Sequence, residues 1–240
     1  MQFTDDFSPN PPEASRVAAR ALVLSAVCCR GLIEKDATKH GADELRQRVA
    51  KWLDEVGASA ELEACESTLL STPLGKLDRK AAMDAGWRSE GMVVLAWALG
   101  YAELPPVHTE CQPSDVAEGM GFLDSRDNTP LHCPRLHSLE EIEAWADTTL
   151  TLHWRLRQRR HSPDLNSMDL VDYASNCKWG NLRLDGLELL DRDLAVGGVR
   201  IDRVEESAFR HTLSITQERH QAFNWLLGFE ALYSQVTTDT

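Results

Sequence analysis

The sequence predicts a mostly α-helical fold, a single helical domain with one small β-hairpin near residues 194–201. Three observations carry this expectation. Apolar residues recur at three- and four-residue intervals over long segments, as in Leu45, Val49, Trp52, Leu53 and Val56. Start and stop signals bracket those segments. Only one stretch, Leu194-Ala-Val-Gly-Gly-Val-Arg-Ile201, sets β-forming residues around a two-residue turn, at Gly197-Gly198.

Taken in order, residues 1–12 are polar and proline-bearing and read as a flexible N-terminal arm, with residues 13–240 as the single helical domain. A first helix runs from Pro12 or Glu13 to Glu34, with proline at the permissive first turn. A second covers Asp43–Val56 and stops at Gly57, and a third covers Ser59–Leu70. Pro73 and Gly75 mark a turn before a long helix, Arg79–Tyr101, which holds the most apolar run, Gly91–Gly100. Residues 103–137 carry Pro105, Pro106, Pro113, Pro130 and Pro134 and read as an irregular connection, with a short helix near Ser114–Phe122. Ser138-Leu-Glu-Glu141 is a capping box that opens a helix running to about Gln158. A short helix near Asp169–Asn176, the hairpin, and a final helix over Glu205–Tyr233 complete the chain. A lone hairpin is marginal in water, so it must pack on helices.

The 240 residues carry 25 basic and 38 acidic side chains, and 25 − 38 = −13. That charge repels phosphate backbones and anionic membranes, so neither nucleic acid nor membrane is expected as a partner; it suits a basic protein partner. The run Gly91–Gly100 is about half of the roughly 20 apolar residues that cross a bilayer. Residues 16–29 imitate a secretion signal, but the acids Asp5, Asp6 and Glu13 precede them and Val27 occupies a cleavage position. A cytoplasmic protein is expected. The six cysteines include no CxxC pair, and they read as buried, reduced thiols.

No GxSxG elbow, P-loop or HExxH occurs, and no cofactor is implied. Gly119-Met-Gly121 begins a dinucleotide-like string, but Asp124 holds its last glycine position. Cys111, His132, Cys133 and His137 are numerous enough for zinc, although they lack the usual close pairs of ligands. Asp191 and Asp193 read as solvated residues flanking the hairpin rather than a cation site. Trp154-Arg155 opens a basic run to His161 that reads as a solvated helix end.

Two constellations stand out. Trp87-Arg88-Ser89-Glu90 enters the most apolar run, where Arg88 shares a face with Met92, Leu95 and Leu99. Glu218-Arg219-His220 precedes Ala222-Phe-Asn224-Trp225, with His220 on the stripe of Phe209, Leu213, Phe223 and Leu227. Charge on such faces is rarely buried unless paired. One expectation is an internal network, Arg88 with Glu218, Arg219 with Glu90, and His220 bonded to backbone. Another is a pocket in which His220 or Glu218 is a general base and the arginines hold an anion. A third is a partner-binding surface.

The segments Trp87-Arg-Ser-Glu-Gly-Met-Val-Val-Leu-Ala-Trp97-Ala-Leu-Gly100, Leu136-His-Ser-Leu-Glu-Glu-Ile142 with His153-Trp154-Arg155, and Glu218-Arg-His-Gln-Ala-Phe-Asn-Trp-Leu226 together resemble the domain of unknown function 4272 family, over roughly residues 15–230. The resemblance implies one intracellular helical domain in which Trp87, Arg88, Glu90, Trp97, Glu218, Arg219, His220, Asn224 and Trp225 act as a unit. It implies no reaction. Gly91 stands where the family pattern has alanine, a difference expected only to weaken the helix slightly. Three functions follow as expectations: a binding or adaptor protein, such as an inhibitor or immunity-type partner of a basic protein; an enzyme acting on a small anionic substrate; and a zinc-binding protein.

Overall fold

A computed structural model describes residues 9–38, 40–161 and 168–239. Helices α1 (Ala14–Glu34) and α4 (Arg79–Ala98) form the central pair, α1 largely apolar along its middle and α4 along its C-terminal part, Gly91–Ala98. Against them pack α2 (Ala42–Val56), α3 (Ala64–Ser71) and the short α5 (Pro113–Gly119). Helix α8 (Glu206–Leu226) lies on α4 along one face and on α6 (Leu139–His161) along another. It therefore joins two apolar clusters. The larger gathers Leu24, Trp52, Leu95, Phe223 and Trp225. The smaller gathers Leu152, Leu156, Leu194, Ile201 and Phe209 beneath α7 (Leu170–Asn176) and the strands.

The hairpin is β2 (Asp193–Val196) and β3 (Val199–Arg200), turning at Gly197-Gly198 with positive φ at both glycines. A further strand, β1 (Leu189–Leu190), pairs antiparallel with β2 and makes the sheet three-stranded, order β1-β2-β3. Its turn is built by Asp191 and Arg192, both at positive φ without being glycine, which is why no turn signal announces it.

Three helices end or break earlier than expected. The third expected helix is a 3₁₀ turn at Ser59–Glu61 followed by α3, which Glu63 and Glu66 open as a capping box. Helix α4 stops at Ala98, two residues before Gly100 (φ 79°), and α8 stops at Leu226, before Gly228 (φ 78°). Beyond Gly228 the chain forms a strap across the body. Arg16 donates to the Ala231 carbonyl, Gln221 to that of Tyr233, Asn224 to that of Thr237 and Arg157 to that of Thr238. Of the expected arm, residues 1–8 lie outside the described residues; Asn10 donates to the Gly228 carbonyl and Pro12 is buried.

Tyr233 seats the strap, and it gives Gly91 a role that helix propensity alone misses. A Cβ at position 91 would overlap the Tyr233 hydroxyl, which is buried and has no hydrogen-bond partner among the described residues. Gly91→Ala should therefore cost about 1–3 kcal/mol of unfolding free energy through overpacking. Tyr233→Phe removes the orphaned hydroxyl and should be neutral or stabilising. The double variant should recover much of the Gly91→Ala loss, read by urea denaturation of all four proteins.

Candidate functional site

The two constellations meet where α4 crosses α8. Glu90 has no solvent exposure; one carboxylate oxygen accepts from the Cys111 amide (2.8 Å), and the other accepts from Arg219 Nε (2.9 Å) and Nη2 (2.8 Å). Arg219 also donates to the carbonyls of Pro105 (3.0 Å) and Thr109 (2.9 Å). The pair thus clamps the proline-rich connection onto the helices, satisfying carbonyls in a segment with no ladder of its own. Arg88 lies nearer the surface. Its Nη1 donates to Glu218 and to Gln221, each at 2.9 Å, and its guanidinium stands over the Tyr233 ring. Burial raises the Glu218 carboxyl pKa, outweighing the opposing pull of Arg88.

His220 bonds to a side chain, not to backbone. Its Nδ1 lies 2.8 Å from Nδ1 of His153 on α6, so one ring donates and the other accepts. Both are buried, and desolvation, helped by the positive Arg157, lowers His153 to about 4 and His220 to about 3 from an ordinary 6.5. Above about pH 6.5 both rings are neutral whether folded or unfolded. Below it the unfolded chain takes up protons that the folded pair refuses, so stability falls with falling pH. Each histidine should contribute a slope of up to about 1.4 kcal/mol per pH unit between pH 6.5 and 5. In His153→Gln the slope should be roughly half, read by urea denaturation across that range.

The basic run is solvated only at its end, where Arg160 and His161 are exposed; its first cation is built into the fold. Arg155 has no exposure and makes a two-pronged pair with Asp193 of β2, Nε–Oδ1 2.8 Å and Nη2–Oδ2 2.7 Å. Asp193 is equally buried, so it is neither a solvated flank nor a cation ligand; Asp191 is exposed in the turn. Arg159 donates to the carbonyls of Ile201 and Val204 and covers the Phe209 ring. Arg155 and Arg159 are engaged here because Asp193 of β2 and the carbonyls of the turn after β3 face α6.

The remaining candidates are spread widely. Trp97 stacks on His137 (4.9 Å) and meets Trp145 and Phe223 edge-on. Trp154 stacks on Tyr173, Trp87 meets His211, Trp225 meets Tyr233, and Asn224 holds the strap. The proposed zinc ligands do not converge. Cys111 is buried with its thiol on the Ser89 carbonyl, His132 and Cys133 are exposed, and no three His, Cys, Asp or Glu side chains gather for a metal among the described residues. All six cysteines are free, but only Cys28 and Cys111 are buried; Cys29 and Cys177 are half-buried, and Cys65 and Cys133 are exposed. Burial pushes the Cys28 thiol up to about 12.

Open space lies to the side of this network. A groove of about 450 Å³ runs between α1, α4 and α5, floored by Cys28, Ile33, Met92 and Phe122, with Glu118 and Asp124 on its lining. It continues past Leu32 and Pro113 into a second hollow of about 260 Å³, where Trp87, Met83, Lys35 and Glu110 stand. Neither hollow was legible in the sequence, because the groove is set by where α5 rests on α1 and α4.

The family model described as Domain of unknown function (DUF4272) matches residues 3–175, more than half of the chain. The chain belongs to the DUF4272 family. No curated protein and no solved structure matches it. The DUF4272 match contains Trp87–Gly100 and His153–Arg155 but ends before α8. The DUF4272 carboxylate Glu90 and the imidazole His153 are thus completed by Arg219 and His220 from a helix beyond the matched span. No helix of the described residues is long and apolar enough to cross a membrane.

Proposed function

We propose that this DUF4272 protein is a binding protein whose partner is basic, docked along the groove between α1, α4 and α5. The groove itself carries the reading. It has an apolar floor, two exposed apolar side chains at its mouth, Leu32 and Met83, and carboxylates at Glu110, Glu118 and Asp124 against Lys35, the single cation among the described lining residues. An amphipathic, lysine- or arginine-bearing segment complements such a surface, its apolar face on the floor and its cations on the rim. The net charge of −13 would steer that partner in at low salt. We place the protein in the cytoplasm, where its six free thiols would stay reduced.

An enzyme acting on a small anion at Arg88, Glu218 and His220 has less support. Arg219 and His220 are occupied inside the fold, and a histidine lowered to about 3 is a weak base. Photo-crosslinking residues placed at Leu32 and Met83, with one at Trp179 on the far apolar cluster as control, test the reading in lysate of the native host. Crosslinks to a basic protein from the first two positions only, weakened by salt, support it. No crosslink from them, or equal capture at all three, overturns it.

A further inference from the structure

A second opening, sharing no lining residue with the groove, lies between α1, α3, α4 and the C-terminal strap. Its volume is about 350 Å³, within the range of small-molecule sites. Two opposite charges face it from successive turns of α4, Asp84 and Arg88, about 5–6 Å apart at Cβ. They do not pair with each other. Arg88 commits only Nη1, to Glu218 and Gln221; its Nε and Nη2 have no partner among the described residues and are not sealed from solvent. Asp84 gives one oxygen to the exposed Lys80 and keeps the other. The third charge in the wall, Glu66, is already spent on Arg20 and on the Glu63 amide. Between these groups the wall is aliphatic, with Val27, Leu69 and Leu77.

We propose that this opening binds a small zwitterion with an apolar side chain, a free amino acid of leucine's kind. Its carboxylate meets the free edge of Arg88, its ammonium meets Asp84, and its side chain lies among Val27, Leu69 and Leu77. A simple anion of that size meets Asp84 unfavourably and a simple cation meets Arg88 unfavourably; a zwitterion satisfies both. Glu218 and Gln221 already hold the guanidinium in place, which reduces the ordering that binding requires.

Calorimetric titration with L-leucine, 4-methylpentanoate and isoamylamine tests this directly. Leucine should bind saturably, and each truncated compound should bind at least about tenfold more weakly. In Asp84→Asn, a half-exposed position whose loss leaves the core intact, leucine should weaken about tenfold while 4-methylpentanoate, relieved of the like charge, should bind more tightly, with the helical circular dichroism as a check on folding. No saturable heat from leucine at millimolar concentration, or equal leucine affinity in wild type and Asp84→Asn, would overturn the proposal.

Discussion

Glu90→Ala is expected to lower the unfolding free energy by about 3–5 kcal/mol, measured by urea denaturation at neutral pH. The loss is large because Arg219 is then left buried with its charge uncompensated, and because the Cys111 amide loses its acceptor in the same step. The carboxylate also fixes the connection after α4. Limited proteolysis of the variant should therefore open residues 103–111 before any other described segment. Replacing both partners by apolar residues, Glu90→Leu with Arg219→Met, should cost less than the single change, since no buried charge remains alone.

Asp193→Ala is expected to cost a comparable amount, about 3–5 kcal/mol, through the other cluster. Its carboxylate answers both prongs of Arg155 and accepts from the Leu194 amide, all without solvent exposure. The two losses should differ in where the chain loosens. Glu90 anchors a loop to α4 and α8, whereas Asp193 anchors β2 to α6. Amide exchange should quicken around 189–204 in Asp193→Ala and around 103–111 in Glu90→Ala.

Those two pairs were not equally legible in the sequence. Arg219 and Glu90 could be matched because each belongs to a charged cluster set against an apolar helical run, and charges buried there need partners. Asp193 could not, because two aspartates beside Gly-Gly look like any solvated turn, and Arg155 sits in a run of cations that resembles a helix end. The strands packed against α6 bury both. His153 was hidden for a similar reason: its partner, His220, lies on a helix that only tertiary packing brings near, and a backbone bond was the simpler expectation. Helix positions followed from local chemistry, such as the Ser138–Glu141 capping box, whose hydrogen bonds form as expected, and Gly57 at the end of α2. The stretches that went wrong are those where the signal was one residue. Gly100 and Gly228 end helices that periodicity alone would extend, and the strap that follows Gly228 looks helical until Tyr233 is seen filling the space beside Gly91. Grooves between helices leave no pattern at all, because they depend on how far apart the helices rest.

Glu90, Arg219 and His220 form one internal scaffold, and recognition happens on the surfaces beside it, where Trp87 and Arg88 stand at the edge of that scaffold. The measurement that addresses the scaffold most directly is a double-mutant cycle on Glu90 and Arg219, using Glu90→Ala, Arg219→Ala and the double variant. A coupling energy of about 2 kcal/mol or more is predicted. Losses that add to within about 0.5 kcal/mol would show that the two side chains do not depend on each other, and would contradict the scaffold.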